Sequence, residues 1–197
     1  MDVNATHFGL LQQLTQAIYP LPDADWQLFL RIWKPFSAKR KEMLTVAGER
    51  EKYLYFVLEG VQRVYYFDDQ NREATLVFTY APSFGGVIDA LMLQQPSRYY
   101  YETLTPSFFL RASVLDLQYL IETSPAIATL MRQGTTTALS GVLERLVELQ
   151  TFSAEDRYKC LLQRSPHLLQ LVPHKYLASY LGMDATNFSK LINKIKI

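Results

Sequence analysis

The hydrophobic pattern of this chain changes its period twice, and this change constrains the fold more than any other feature. Over residues 1–34, and again after Ser113, apolar residues recur every three or four positions, which is the spacing of one helix face. Between Lys34 and Val114 the period is two, in short runs separated by glycine and proline turns. Short strands at near-regular spacing predict an antiparallel roll or barrel between two helical ends.

Several helix and strand boundaries follow from local signals. Residues 20–23 carry two prolines and end the first helix, so Asp23 or Asp25 is expected to cap a second one. A loop is predicted at residues 82–86, followed by a short apolar piece at 87–93. Strands are predicted at residues 54–58, 61–67, 74–80, 99–104 and 108–113, with a hairpin turn at 68–71.

A long helix is predicted to follow the strands. Ser124 and Pro125 begin it, because a capping serine and then a proline suit the first helical positions. An alternation of three- and four-residue spacings, typical of a coiled-coil seam, is shown by Leu139, Val142, Leu146 and Leu149. Such a helix could pack wholly on its own roll, but a seam more often meets a partner, so these four residues are predicted to form a homodimer interface. Ser153 is expected to cap the next helix, with Asp156 reaching back.

Two short helices joined by a tight turn are predicted within residues 172–196. Pro173 suits a first helical turn, Gly182 suits the left-handed position that ends a helix, and Asp184 is a good N-cap for the next helix. One apolar stripe of the second helix consists of Phe188, Leu191, Ile192 and Ile195. With small Ala178 at the crossing, this arrangement is that of a helix-turn-helix.

The polar face of the second helix carries side chains that can bond base edges and phosphates. The candidate DNA contacts are Lys175, Thr186, Asn187, Ser189, Lys190, Asn193 and Lys194. Residues 157–197 hold seven basic residues and one acidic residue, a net charge of +6, whereas residues 1–156 hold 13 basic and 18 acidic residues, a net charge of −5. A basic end on an acidic body favours nucleic-acid binding over the alternative of an ordinary helical hairpin with a solvated polar face.

Composition narrows the class of protein. The chain has no apolar run of transmembrane length and no signal-peptide pattern, so a soluble, cytoplasmic protein without membrane contact is expected. Cys160 is the single cysteine, which excludes an internal disulfide and a multi-cysteine metal site. A small roll could hold a cupin-like metal centre, but His7, His167 and His174 all lie outside the predicted strands, so an enzyme is not expected.

With a roll, a long helix and a terminal helix-turn-helix, the chain resembles the Crp/Fnr family of bacterial transcription regulators over nearly its whole length. The most specific similarity lies within residues 146–196, including Glu155-Asp-Arg-Tyr158, Ser165-Pro166 and Leu177-Ala-Ser-Tyr-Leu-Gly182. The chain is most similar to the branch abundant in Bacteroidetes-type bacteria. Residues 54–60 resemble the strand and glycine that begin the family's cyclic-nucleotide-binding roll.

The resemblance implies an α+β fold: an antiparallel cyclic-nucleotide-binding-like β-roll with flanking helices, a long dimerisation helix, and an all-α helix-turn-helix domain without a complete wing. It divides the chain into a sensor (residues 1–123), a dimerisation helix (124–150) and a DNA-binding domain (151–197). The implied function is that of a homodimeric DNA-binding transcriptional regulator, in which an effector changes the relative orientation of the two DNA-binding ends. Its implied partners are double-stranded DNA, a second copy of the chain and, as a further candidate, RNA polymerase.

The chain departs from the family at the ligand site. Members that bind cyclic AMP carry a cassette resembling phenylalanine-glycine-glutamate, followed by arginine and serine or alanine, in which the glutamate bonds the ribose and the arginine pairs with the phosphate. Gly86 replaces that glutamate here. The candidate ligand-binding residues are Phe84, Gly85, Gly86, Ser97, Arg98 and Tyr99. No cofactor is certain from this pattern, and a cyclic nucleotide, another small-molecule effector or a ligand-free filled pocket are all compatible with it.

The predicted recognition helix departs from the family as well. Ala185, Thr186 and Lys190 stand where cyclic-AMP-responsive members carry two arginines and a glutamate, so a different operator is expected. The alternative function is that of a degenerate sensor acting as an interaction protein, in which the helix-turn-helix serves only packing. Salt-dependent binding to duplex DNA separates the two functions, because phosphate contacts release counterions.

Overall fold

Two short helices precede the strands. In the computed structural model, which describes residues 5–194, α1 covers Ala5–Ile18 and α2 covers Asp23–Arg31. The predicted break at residues 20–23 is confirmed, while the part of the helical prediction that falls on residues 1–4 lies outside the described residues. The expectation that Asp23 or Asp25 caps α2 was wrong, because Pro22 holds the N-cap position and no side chain caps the helix. Asp25 instead accepts a hydrogen bond from Ser124 Oγ.

Eight strands form two four-stranded antiparallel sheets within the described residues, which confirms the roll. They are β1 Trp33–Ala38, β2 Met43–Thr45, β3 Tyr53–Glu59, β4 Val61–Phe67, β5 Glu73–Tyr80, β6 Ser83–Gly85, β7 Tyr100–Thr103 and β8 Ser107–Ser113. One sheet has the order β1-β8-β3-β6 and the other β2-β7-β4-β5. The strand β5 therefore lies at an edge of its sheet, and so does β6 of the other.

Two strands lie where the sequence indicated something else. Trp33 begins β1, although its spacing from Phe29 and Leu30 placed it on a helix, because β1 pairs with β8 along its whole length. The predicted loop at residues 82–86 contains β6, in which Phe84 lies opposite Phe56 of β3. The Phe84 ring packs on the Phe56 and Trp33 rings, and this burial holds the segment against the sheet.

Seven further helices complete the fold described by residues 5–194. They are α3 Ile88–Leu93, α4 Val114–Thr123, α5 Pro125–Thr151, α6 Ala154–Arg164, α7 Leu168–Leu171, α8 His174–Tyr180 and α9 Ala185–Lys194. Ser124 Oγ accepts the N–H of Ile127, and Ser153 Oγ accepts the N–H of Asp156, so both predicted serine caps are confirmed. The carboxylate of Asp156 reaches back to the Ser153 hydroxyl.

The core is divided between the roll and the C-terminal helices. Phe56, Leu110 and Leu117 belong to a cluster that joins the roll to α1, α2, α4 and the start of α5. A second cluster contains the buried side chains of α6 to α9, and it also includes Val61 of β4 and Leu104 from the roll. The helix-turn-helix is therefore packed directly against the roll. Among residues 5–194, no helix is long and apolar enough to cross a membrane.

Candidate nucleic-acid interface

The helix-turn-helix is built on a small buried core. Leu177 and Ala178 of α8 are fully buried, and so is Phe188 of α9. Gly182 ends the first helix in the left-handed region, with φ +64, and a Cβ there would come within 2.9 Å of a Leu149 methyl carbon. Asp184 Oδ1 accepts the N–H of Asn187 at 2.8 Å, as expected of an N-cap. These observations confirm the predicted two-helix geometry.

Two details of the helix-turn-helix differ from expectation or lie beyond the described residues. Pro173 occupies the N-cap position of α8, with φ −54 and ψ 134, one position before the first helical turn. The predicted apolar stripe of α9 is seen at Phe188, Leu191 and Ile192, which are buried or half-buried. Its fourth member, Ile195, lies outside the described residues.

The predicted DNA contacts on α9 share one exposed surface. The exposed side chains are those of Thr186, Asn187, Ser189, Lys190, Asn193 and Lys194. Lys175 of α8 is exposed too, with its Nζ 4.6 Å from the centroid of the Tyr176 ring. Within the described residues, the side chains of Lys190 and Asn193 make no hydrogen bond or ion pair, so their polar atoms face solvent.

Other groups of this surface have partners inside the protein. Asn187 Nδ2 donates to Asp184 Oδ2, and Ser189 Oγ donates to the Ala185 carbonyl at 2.9 Å. Glu155 forms ion pairs with Lys159 at 2.9 Å and with Lys194 at 3.3 Å. Hydrogen bonds from Lys159 and then Lys194 hold the pKa of the Glu155 carboxyl below its usual value. This role of Glu155 was not predicted, although its position four residues before Lys159 on a helix was a usable signal.

The predicted dimer seam lies on an uncovered face of α5. The exposed fractions of Leu139, Val142, Leu146 and Leu149 are 56%, 51%, 46% and 37%. Val147 and Phe152, which the predicted seam did not include, are exposed apolar residues as well. Every residue from 136 to 144 is exposed, so this part of α5 contacts no other element closely enough to be covered.

The predicted ligand residues converge only in part. Phe84 packs into the core of the roll, whereas the Arg98 guanidinium is exposed and donates to the Tyr99 hydroxyl at 3.3 Å. Ser97 is buried, and its hydroxyl donates to the Tyr99 carbonyl at 2.7 Å. The Ser97 hydroxyl and the Arg98 guanidinium therefore do not form one phosphate-binding group in this conformation.

The interior of the roll beside Gly85 and Gly86 is filled by protein side chains. A Cβ on Gly85 would collide with the Tyr101 hydroxyl, and Tyr101 is fully buried. The Tyr101 hydroxyl shares a hydrogen bond with Thr79, whose own hydroxyl donates to Gln62 at 2.9 Å. In this conformation the Tyr101 hydroxyl occupies the space beside Gly85, so a ligand that approached Gly85 from inside the roll would have to displace it.

Glu51 provides a carboxylate next to Gly86. Its Oε2 accepts the N–H of Val87 at 2.9 Å and the Thr45 hydroxyl at 2.7 Å. Burial raises the pKa of the Glu51 carboxyl, although these two hydrogen bonds act in the opposite direction. The side chain therefore satisfies a backbone N–H at the start of α3. No sequence pattern pointed to Glu51, since its partners lie 6 and 36 positions away.

Comparison with known proteins shows similarity in structure but not in sequence. No protein-family profile matches the chain, and no curated protein is significantly similar to it. FixK2 from Bradyrhizobium japonicum superposes with a TM-score of 0.74 at 16% identity, over 83% of this chain and 84% of that chain. The c-di-GMP-responsive global regulator CLP from Xanthomonas campestris gives a TM-score of 0.65 at 19% identity, over 88% and 91%.

A third structure carries the family name. TTHA1359, a transcriptional regulator of the Crp/Fnr family from Thermus thermophilus, gives a TM-score of 0.63 at 20% identity, over 82% of this chain and 84% of that chain. The matched regions include most of both chains, so they extend over the roll, the long helix and the helix-turn-helix together. The chain therefore has the fold of the Crp/Fnr transcription regulators.

Proposed function

We propose that this protein is a homodimeric DNA-binding transcriptional regulator in which α9 enters the major groove. The observation that carries the proposal is the exposed polar and basic face of α9, held on a buried helix-turn-helix core. Recognition helices of this class place such side chains against base edges while the first helix crosses the backbone. Two of the solved structures that share the fold, CLP and TTHA1359, are themselves named as regulators.

The net charges of the two parts of the chain support the same function. The basic part, residues 157–197, contains α8 and α9, while the acidic part contains the roll. A phosphate backbone is attracted to the first and repelled by the second, so the charge pattern orients the protein with α9 toward DNA. We assign Lys175 to the phosphate backbone, because it lies on the first helix.

A second copy of the chain is the proposed occupant of the exposed α5 face. Residues 136–144 are exposed on all sides, and an isolated helical stretch of this length is marginally stable in water without packing. The side chains of Leu139, Val142 and Leu146 carry the coiled-coil spacing, and antiparallel or parallel pairing of two α5 helices would cover them. A two-fold dimer would also present two copies of α9 to two half-sites.

The division into sensor (1–123), dimerisation helix (124–150) and DNA-binding domain (151–197) belongs to this proposal, as does a cytoplasmic location, where bacterial DNA lies. Contact with RNA polymerase and membership of the branch abundant in Bacteroidetes-type bacteria stay predictions from the resemblance. An effector site formed by Phe84, Gly85, Gly86, Ser97, Arg98 and Tyr99 also stays a prediction, and a ligand there would have to displace Tyr101 or bind at the surface beside Arg98.

Binding to duplex DNA at several salt concentrations tests the proposed function. We expect Lys190→Ala to weaken binding and Lys194→Ala to reduce the slope of log affinity against log salt by about one. Lys34→Ala, which removes the same charge from an exposed site on β1, is the matched control and should bind like the unaltered protein. Salt-independent or absent binding by the unaltered protein would instead support the alternative of an interaction protein with a degenerate sensor.

A further inference from the structure

The first helix of the helix-turn-helix has two occupied faces. Leu177, Ala178 and Leu181 face the buried core shared with α9. On another side, at spacings of three and four residues, Tyr176, Ser179 and Tyr180 contact the roll and α5. A helix that only supported a recognition helix would need the first face alone. The contacts of the second face therefore indicate a further role for α8.

Arg63 of β4 holds Tyr176. Its side chain is 2% exposed, and it forms ion pairs with Glu102 at 2.6 Å and Glu73 at 2.8 Å. The guanidinium carbon lies 3.6 Å from the centroid of the Tyr176 ring and 4.0 Å from that of Tyr65, so the group is stacked between two rings. Because both carboxylates belong to the roll, they orient the guanidinium as a fixed platform for Tyr176.

Arg145 of α5 holds Tyr180 in a similar way. The residue is 8% exposed, and its guanidinium carbon lies 4.0 Å from the centroid of the Tyr180 ring. Its Nη1 lies 3.3 Å from the Glu148 carboxylate, and the same carboxylate forms a shorter ion pair, of 2.7 Å, with Arg164. Within residues 5–194, Nε and Nη2 of Arg145 have no hydrogen-bond partner. Stacking on Tyr180 and the ion pair with Glu148 are therefore the contacts that hold this buried cation.

A hydrogen bond lies between the two stacked pairs. The N–H of Thr75, on the edge strand β5, donates to Ser179 Oγ at 2.9 Å. The ring of Phe78, on the same strand, lies 5.0 Å from the Tyr180 ring. The helix α8 thus covers an edge that would otherwise present unpaired backbone groups. The polar face of α9 takes no part in this contact and is exposed.

We propose that Arg63 and Arg145 are positioning residues for DNA binding, which fix the orientation of α8 by stacking on Tyr176 and Tyr180. The inference rests on the proposed function. Only residues 152 and 153 separate α5 from α6, so without these contacts the DNA-binding end can turn about that connection. A dimer binds two half-sites at once only when its two α9 helices are held about 34 Å apart. If a DNA-binding end can turn freely, the effective concentration of its α9 helix at the second half-site falls.

The test alters the tyrosines and Arg145 and leaves Arg63 in place, because removing Arg63 would leave the buried carboxylate of Glu102 without its cation. The first variant combines Tyr176→Gln with Tyr180→Gln, and its control is Tyr119→Gln on the exposed surface of α4. The second variant is Arg145→Met, after which Glu148 keeps Arg164, and its control is Arg132→Met on the exposed side of α5. Amide hydrogen exchange of α8 and α9 identifies any variant whose helix-turn-helix has unfolded.

Two duplexes serve as probes: one enriched from a random pool by the unaltered protein, and the same duplex with one half randomised. We expect both positioning variants to lose about tenfold or more in affinity for the enriched duplex while binding the half-randomised duplex as the unaltered protein does. Cleavage by chymotrypsin after the exposed Phe152 should become faster. The Tyr119→Gln and Arg132→Met controls should change neither measurement.

The outcomes separate this inference from the proposed function. Variants that bind the enriched duplex as tightly as the unaltered protein, or more tightly, would overturn a positioning role. Failure of the unaltered protein to enrich any duplex would overturn the proposed function. In that case the rate of cleavage after Phe152 still tests whether Arg145, Tyr176 and Tyr180 hold α8 against the roll. An unchanged rate in the variants would show that they do not.

Discussion

The Nζ atom of Lys194 lies 3.3 Å from Oε2 of Glu155, so a lysine on the exposed face of α9 is paired with a carboxylate in the first turn of α6. The same carboxylate pairs with Lys159 at 2.9 Å. Two cations of the basic end are therefore partly neutralised by one acid. Because the pair is exposed, its own contribution to stability is small, and its main effect is on the charge that DNA meets.

Removing this carboxylate should strengthen DNA binding. We expect Glu155→Gln to raise affinity for duplex DNA by about two- to tenfold and to increase the salt slope by up to about one. Lys159 becomes available to a phosphate, and Lys194 no longer has to leave Glu155 in order to bind one. Fluorescence anisotropy over a salt series measures both quantities. Glu122→Gln, on the exposed side of α4, makes the same change in net charge and should have little effect. Equal behaviour of the two variants would show that Glu155 is far from the bound DNA.

The proposed dimer depends on the exposed α5 face. We expect the double variant with Leu139→Asp and Leu146→Asp to sediment as a monomer, because a helix pair would bury unpaired carboxylates at the seam. Both leucines are about half exposed in the single chain, so the fold of each copy should survive the change. The control is Leu115→Asp, at an exposed leucine of α4. An unchanged mass for the double variant would exclude this seam as the interface.

Cyclic nucleotides should not bind tightly to the roll. Isothermal titration of the purified protein with millimolar cyclic AMP or cyclic GMP is expected to give no binding heat. Tyr101 occupies the space beside Gly85, and Glu51 already accepts the Val87 N–H next to Gly86. The Arg98→Ala variant should behave identically. Micromolar binding that is lost in Arg98→Ala would contradict this expectation and would assign the cyclic phosphate to Arg98.

Burial of Glu51 predicts a dependence of stability on pH. Because its pKa in the folded state is raised above the usual 4.5, the folded state holds the proton more tightly than the unfolded chain does. The contribution of Glu51 to the free energy of unfolding therefore falls as the pH rises from the usual pKa through the folded-state pKa. The neutral Glu51→Gln variant, which keeps an acceptor for the Val87 N–H, escapes this loss.

Urea unfolding of both proteins measures the effect. We expect Glu51→Gln to unfold at a higher urea midpoint than the unaltered protein at about pH 7, and to lose most of this advantage at about pH 4, where the carboxyl is protonated in both states. Glu59→Gln, at an exposed position, should show no such change between the two pH values. A constant difference between Glu51→Gln and the unaltered protein across pH would contradict a raised pKa.

Short-range patterns predicted most of the elements. The serine caps at Ser124 and Ser153 and the turn at Gly182 depend on neighbours within a few positions, so their sequence signals were sufficient. The same kind of reasoning was wrong for Asp25, because the structure offers it a hydroxyl 99 positions away. It also missed β6, whose three residues are strand only because β3 lies beside them.

The order of roll, long helix and helix-turn-helix could be predicted from the sequence, because hydrophobic period and capping are local properties of a chain. Three contacts were not predictable in this way: α8 docks on the roll, Glu51 accepts the Val87 N–H, and Lys194 pairs with Glu155. The partners in these contacts are separated by 104, 36 and 39 positions. No periodicity links residues so far apart, and their pairing depends on how the sheets and helices pack.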